Sequence, residues 1–390
     1  MYLTKEEESI YDGEHGWAKQ ICMKILVRLG ELFSATRLIS ISSAHVSGVS
    51  YKTLGDAAAE FLERLANADG KVRVKATLNP QSFDPEYLEK RLPEHIREKQ
   101  FNILRQFEKM AFTQSLTCTP YYIEKPKRGS HLAWAESSAV VYANSVLGAW
   151  TNREGGPSAL AAAIIGKTPD YGMHKAENRK PNILAKVETP LQNEAKFGAL
   201  GIYLGKILED NIPIIQGLKN VSEEKLKQLG AALATTGMVN MFHCDIHLEG
   251  GKKEKISVEA GDIKRTIEDL STSSKTKPKL VFIGCPHCSL NEIRQIATLI
   301  RGKTVEAGTE FWVCTSRYVK KKAEDYVKKI EKSGGHVLTD MCTIVSWTEM
   351  LGIKTIMTNS AKTAYYAPTL NKVETVFAPL KQCLKTVLER

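Results

Sequence analysis

Residues 279–300 read KLVFIGCPHCSLNEIRQIATLI. The run Lys279–Ile283 is apolar after its first residue and stops at Gly284; Ile293, Ile296, Ala297 and Ile300 then recur at helical spacing. A short apolar run followed by a period near 3.6 marks a buried strand feeding a helix. The unit repeats downstream. Phe311–Cys314 is a strand, and Val319, Ala323, Val327 and Ile330 form one face of a helix. Gly334-Gly335 closes that helix, and His336–Leu338 opens a strand leading to Asp340-Met-Cys342. Upstream, Ile212–Ile215 is a strand, Ser222 caps a helix with Glu223 and Glu224 at its positive end, Gly237 stops it, and Met238–Phe242 is the next strand. This alternation predicts an α/β fold of right-handed βαβ units on largely parallel sheets.

The first half follows the scheme less regularly. Leu38–Ile41 reads as a strand leading into Ser42–His45, and Ala58, Phe61, Leu62 and Leu65 form a helix face. Val72–Val74 reads as a strand with Thr77–Pro80 as the loop after it, and a helix around Phe101, Leu104 and Met110 precedes Ser115–Cys118. No low-complexity tract separates the halves, so two α/β regions are expected, 1–205 and 206–390.

The 390 residues are 43% hydrophobic and 25% charged, enough to bury a large core and to exclude a mainly disordered chain. Lys and Arg number 54 against 44 Asp and Glu, a net charge of +10 that favours anionic ligands. The lysines are dispersed on helix faces without interleaved aromatics, which argues against nucleic acid as the partner. No apolar run reaches the ~18–20 residues of a membrane span, and the acidic start MYLTKEEESIYDGE is unlike a secretory signal, so a cytoplasmic protein is expected. Gly166-Lys167-Thr168 lacks the upstream glycine of a phosphate loop, position 161 being Ala, and no G-x-G-x-x-G is present. Eight cysteines are too sparse for a disulfide scaffold in a chain this long.

Ser42–Ser50, Asn79, Cys118, Cys285, Cys314 and Cys342 all fall just after predicted strands, where open α/β sheets bind ligands. Cys285-Pro-His-Cys288 admits three readings: a redox dithiol, one or two metal ligands, or a tight turn. Cys118 and Cys342 taken singly are core residues by default. With Cys285 they make three thiolates, a number that holds an iron–sulfur cluster and leaves one iron open as a Lewis acid. His243-Cys-Asp-Ile-His247 resembles a small metal cluster, although a strand end gives its two histidines no shared face. Within the small-residue stretch 133–148, Glu136, Ser137, Asn144 and Ser145 either bond neighbouring backbone or face a polar ligand. Arg153, on the following turn, suits a carboxylate or is solvated. Ser47–Ser50 presents backbone N–H groups to a phosphate or is a plain turn. Lys362, after the strand Thr355–Met357, is a point charge for the same rim or a solvated lysine.

The segments YLTKEEE, SSAHVSG with Tyr51, TLNPQS, TCTPYY, HLAWAESSAVVYANSVLGAWTNREGG, PDYGMH with Glu177-Asn-Arg179, GCPHCSL, DMC and TNSAKTAYYAP occur in that order along nearly the whole chain. Together they resemble the catalytic domain of the aconitase X family, within a superfamily that dehydrates or isomerises hydroxy acids. The resemblance implies an aconitase-like fold and a 4Fe–4S cluster on Cys118, Cys285 and Cys342. It implies substrate contacts from Gly48, Val49, Ser50, Asn79, Pro80, Glu136, Ser137 and Lys362, with His45, Asn144, Ser145 and Arg153 as a second set. Region 1–205 would then carry the substrate loops and region 206–390 two of the cluster cysteines.

The TNSAKTAYYAP segment lies close to Arg390, which resembles the split form of the family. There the swivelling domain is a separate small subunit, giving a heterodimer. The implied reaction is dehydration of (R)-5-phosphomevalonate to trans-anhydromevalonate 5-phosphate in an archaeal mevalonate route to isoprenoids. The alternatives are a same-family dehydratase of another hydroxy acid, such as cis-3-hydroxyproline, and a non-catalytic binding module. No residue of this chain is assigned as the general base; a serine of the small subunit would fit. Three departures stand out. Trp150 occupies a position where an arginine is common, HCDIHLEGG differs from the usual run, and Cys288 is an additional thiol.

Overall fold

Three strands carry the first half of the molecule: β2 (Ser43–Val46), parallel to β3 (Lys75–Leu78) on one side and to β4 (Leu132–Trp134) on the other, with His45 opposite both Thr77 and Trp134. Their order along the chain is α1 (Lys5–Asp12), α2 (Trp17–Leu32), β1 (Leu38–Ser40), β2 (Ser43–Val46), α3 (Tyr51–Asn67), β3 (Lys75–Leu78), α4 (Glu94–Lys109), β4 (Leu132–Trp134), α5 (Ser137–Tyr142), α6 (Gly156–Ile165) and β5 (Lys167–Pro169). These coordinates are a computed structural model describing residues 1–218, 221–244, 254–273 and 277–389. Residues Met1–Ser82 and Pro93–Lys180 form one compact unit, and Phe83–Leu92 with the chain from Pro181 onward form a second.

Local chemistry explains the helix starts. Thr4 and Glu7 close a capping box at α1, each side chain accepting the other's backbone N–H. In α6, Ala159, Ala161, Ala162, Ala163 and Ile164 are all fully buried, as expected of a helix apolar on every side, and it packs against both α2 and β2.

The structure corrects several local expectations here. Leu38–Ser40 is a strand, but it pairs antiparallel with β5 and lies outside the parallel sheet. The parallel strand is Ser43–Val46, so Ser43 and His45 are strand residues and the loop begins only at Ser47. A buried histidine hides a strand from a hydrophobicity reading, and it is tolerated because Thr77 Oγ1 lies 2.8 Å from its Nδ1. Residues 72–74 are irregular, and the strand is Lys75–Leu78, which takes in Thr77 and Leu78 from the expected loop.

The second unit holds β6 (Ile183–Val187), α7 (Glu194–Leu208), β7 (Pro213–Gln216), α8 (Glu223–Thr236), β8 (His243–Cys244), β9 (Glu254–Val258), α9 (Ala260–Asp269), β10 (Leu280–Ile283), α10 (Leu290–Leu299), β11 (Glu310–Cys314), α11 (Arg317–Lys322), α12 (Glu324–Lys332), β12 (His336–Leu338), β13 (Thr355–Thr358), α13 (Ala361–Leu370), β14 (Glu374–Phe377) and α14 (Leu380–Val387). Two parallel sheets result, in the orders β8-β7-β6-β9 and β12-β11-β10-β13-β14. The second reverses winding direction between β10 and β13, the switch point at which such sheets open a crevice. Segment Phe83–Leu92 joins this unit because the Asp84 carboxylate accepts from Thr339 N at 2.7 Å and Arg91 grips Glu310 through two bonds of 2.8 and 3.0 Å.

Met238–Phe242 is not a strand; pairing starts at His243, because the segment leaving Gly237 first turns back so that Met238 N–H donates to Glu209 O. His247 lies outside the described residues. The single helix expected after β11 is two, broken at Ala323 (φ −101°, ψ 16°). Cys314 is the last residue of β11, fully buried, and not a loop residue beyond it. On α7, Gly201 permits contact with α8 so close that a Cβ there would stand 2.6 Å from Leu229 O.

Gly284 ends β10 at φ +118°, and a Cβ there would collide with the Cys314 backbone. Gly284→Ala should therefore lower stability by at least ~2 kcal/mol, read as a fall in thermal midpoint. Gly261→Ala, in the exposed first turn of α9 with its nearest neighbour 3.7 Å away, should leave the midpoint unchanged or slightly raised.

Candidate active site

The carboxyl ends of β2, β3 and β4 deliver three loops, 47–50, 79–82 and 135–136, to one rim of the first unit, the last leading straight into α5. Ladder bonds continue past the strands, Asn79 N to Val46 O at 2.9 Å and Ala135 N to His45 O at 2.8 Å, so the loops leave in register. Asn79 is held from two sides: its Nδ2 donates to Glu136 Oε2 at 2.8 Å, and its Oδ1 lies 3.4 Å from His45 Nε2. Glu136 is also the N-cap of α5, its Oε1 accepting from Ser138 N and, at 2.8 Å, from Ser138 Oγ. Ser137 is the first residue of that helix and partly exposed.

Cys118 belongs to the same rim. Thr113 bridges Thr77, and Thr117 N donates to Leu78 O at 3.0 Å, so 113–117 runs beside β3 and places Cys118 at its carboxyl end. The Thr117 backbone also bonds His45. Burial pushes the His45 pKa down to about 4, opposed chiefly by the Glu136 charge, so the ring is neutral near pH 7. Gly48 is at φ +78° and partly exposed, whereas Val49 and Pro80 are buried. Arg153 sits at the outer edge of the rim, bridged to Trp134.

Asn144 is engaged internally. It donates to Thr151 O at 2.9 Å and accepts from Thr151 N and Arg179 Nη1, both at 3.1 Å. Ser145 follows in a π-helical turn over 143–147, half-buried. Arg179 further donates to the carbonyls of Asn144, Ala149 and Met173, and its guanidinium lies over the Trp150 ring at 4.6 Å. Burial lowers its pKa to about 10, which leaves it charged. A guanidinium therefore covers Trp150, supplied from position 179.

In the second unit, Cys285 follows β10 and Cys342 follows β12. Their loops touch directly: His287 Nε2 meets Met341 O at 2.8 Å. The Cys285 loop is fixed from below by Lys227 of α8, whose ammonium is 1% exposed. It donates to His287 O at 3.0 Å and to Glu292 Oε2 at 2.5 Å. Cys288 is tied to β11, its N–H donating to Cys314 O and its carbonyl accepting from Thr315 Oγ1. Burial, then the Glu292 charge, pushes the Cys288 thiol strongly up, which keeps it protonated and structural. Asp340, two residues before Cys342, is buried at φ +64° and pairs with Arg317. Lys362 occupies the first turn of α13, half-buried.

The structure thus gathers His45, Asn79, Pro80, Cys118, Glu136 and Ser137 with the 47–50 loop on one unit, and Cys285 with Cys342 on the other. Among the described residues, no three His, Cys, Asp or Glu side chains are grouped as a metal centre. None of the eight cysteines is in a disulfide. Sequence reasoning missed Thr77, Arg179 and Lys227. Nothing distinguishes Lys227 in the sequence from its half-buried neighbour Lys225.

Models of one protein family match most of the chain. The first, second and third domains of aconitase X match residues 1–177, 181–268 and 278–389. The crystal structure of the holo-form of Thermococcus kodakaraensis aconitase X superposes with a TM-score of 0.93 at 41% identity, over 99% of this chain and 100% of that one. The chain belongs to the aconitase X family, and it is an enzyme of the dehydratase (hydro-lyase) class. Phosphomevalonate dehydratase large subunits of Methanocaldococcus jannaschii and Methanothermobacter thermautotrophicus are 47% and 45% identical, over 99% and 97% of this chain and 100% and 96% of theirs. The cis-3-hydroxy-L-proline dehydratase of Pseudomonas aeruginosa is 32% identical over 99% of this chain and 70% of its own length. No helix among the described residues is long and apolar enough to cross a membrane.

Two outcomes are expected. Since His45 takes up its proton only near pH 4 when folded and at ~6.5 when unfolded, its contribution to stability is complete above ~6.5 and is lost as pH falls toward 4. Thermal midpoints measured across that window should decline, and His45→Gln should flatten the slope. Lys227→Met leaves Glu292 without its buried counter-charge and should cost about 2 kcal/mol, discounted from the fully buried case because Glu292 is 18% exposed.

Proposed function

We propose that this chain is the large subunit of a two-subunit enzyme that dehydrates (R)-5-phosphomevalonate to trans-anhydromevalonate 5-phosphate, a cytoplasmic step of an archaeal-type mevalonate route. The observation that carries the proposal is length-matched identity: five archaeal proteins called phosphomevalonate dehydratase large subunit are 39–47% identical over 94–99% of this chain. The two hydroxyproline dehydratases are 30–32% identical and extend beyond it, the chain covering 68–70% of their length. A small subunit carrying the swivelling domain would complete the site and supply the general base.

In this reading Cys118, Cys285 and Cys342 hold a 4Fe–4S cluster, and the donor chemistry suits it. All three are thiols at strand ends, two on loops bonded to each other, and thiolate is the ligand such clusters use. When bound, the cluster supplies a Lewis-acidic iron for the tertiary hydroxyl. The chain's own residues do the rest. The 47–50 loop offers backbone N–H groups to the phosphate. Asn79, oriented by Glu136 and His45, presents a fixed amide edge to the hydroxy-acid portion, with Pro80 and Ser137 shaping the floor. Lys362 and Arg153 are cations suited to the carboxylate. Its neutralisation acidifies the neighbouring C–H, which is otherwise a weak acid. Asn144 supports the rim from behind through Thr151, whose Oγ1 accepts from Trp134 N.

The test is anaerobic co-expression with the small subunit, iron–sulfide reconstitution, and assay of both substrates. Turnover of phosphomevalonate with none of cis-3-hydroxy-L-proline is expected, and the reverse would overturn the assignment. Cys118→Ser, Cys285→Ser and Cys342→Ser should each abolish the broad visible absorbance and the activity, while Cys288→Ser should retain both.

A further inference from the structure

The core-facing side of α4 carries Ile96, Ile103, Leu104 and Phe107, and among them stands Gln100, a carboxamide with no solvent exposure. A polar group at a core position of an amphipathic helix persists when its bonding capacity is used. The hydrogen-bond partners of Gln100 lie at one rim loop or beside it. Its Nε2 donates to Val49 O at 2.9 Å. Its Oε1 accepts from Tyr51 N at 2.9 Å and from Ser82 Oγ at 2.6 Å. The carboxamide thus grips the backbone on either side of Ser50.

The bonds have a direction. Because the Ser82 hydrogen is engaged by Gln100, the 2.9 Å contact between the Ser50 and Ser82 hydroxyls has Ser50 as donor. The Ser50 side chain is accordingly turned inward and 1% exposed. What the loop offers outward is its backbone around Gly48. Helix α3, which begins at Tyr51, has no side-chain cap from Ser50, and its first N–H is satisfied instead from α4.

We infer that Gln100 is a positioning residue that sets the conformation of loop 47–50 for an anionic phosphoryl group before substrate arrives. The inference rests on the substrate-loop reading under Proposed function and deepens it. Peptide N–H groups bind an anion well only when their planes are already aligned, since ordering a loop at the moment of binding subtracts from affinity. Gln100 does this from within the core without touching the ligand. Its effect should therefore fall on substrate binding and leave the chemical step intact.

The experiment compares variants of the reconstituted two-subunit holoenzyme on (R)-5-phosphomevalonate. Gln100→Leu preserves volume and removes all three bonds; KM should rise about tenfold with kcat held within about twofold, the loss expected when binding alone weakens. The visible absorbance of the cluster should be unchanged. If Gln100→Leu does not fold, Ser82→Ala removes one of the three contacts and should raise KM about threefold with kcat unchanged. A wild-type KM in the folded variant, or a fall in kcat with KM unaltered, overturns the inference if Asn79→Ala raises KM in the same assay. If Asn79→Ala also leaves KM unchanged, the rim reading itself fails and the role of Gln100 falls with it.

Discussion

A buried ammonium organises the second unit. Lys227, 1% exposed, replaces its lost water with the His287 carbonyl and the Glu292 carboxylate, and these two partners tie α8 to the loop after β10 and to the start of α10. An ion so deep in a protein is tolerated only with its donors engaged, and the geometry that engages them is costly to leave. From the held loop, the His287 ring reaches the Met341 carbonyl. One chain of polar contacts therefore runs from a helix of one sheet layer to two cysteine-bearing loops of another. Cys285 and Cys342 inherit their positions from it. Cys288, protonated and bonded into β11, serves the same loop as an anchor.

The first unit solves the parallel problem with neutral groups. His45 lies inside a strand, uncharged, between Thr77 and Asn79, and Glu136 fastens Asn79 from the neighbouring loop. The carboxylate does two jobs there, since it also caps α5. Polar residues within the strands thus orient polar residues beyond them. Asn79 is braced from behind by groups with partners of their own, the condition for holding a ligand in one pose.

The fold class was legible because the second half writes its strands as short apolar runs and its helices at a clean 3.6 period, as in 279–300. Reading failed where tertiary bonds override composition. Ser43–Val46 carries a serine and a histidine and so looked like a loop, although it is the central strand of its sheet. Val72–Val74 carried the apolar alternation, yet the pairing partners of β2 begin at Lys75. The rim residues were visible as polar positions just past strand ends and through the long motifs they share with a known family. The braces were not. Lys227 sits among ordinary helix lysines, and Thr77 looked like part of a loop. Gln100 did leave a trace, a polar residue on the buried stripe of an amphipathic helix, but such a trace names no partner.

The tight seam between α7 and α8 carries a consequence for how this chain tolerates mutation. Gly201 allows the two helices to meet backbone to backbone, with Leu229 O only 2.6 Å from where a methyl group would stand. Lys227 lies on that same helix, one short step before Leu229. A larger residue at 201 would push α8 outward and drag the ammonium with it. Sequence drift along an apparently inert helix seam is thus coupled mechanically to the thiol loops, and random mutagenesis would find that site's sensitivity far from any cysteine.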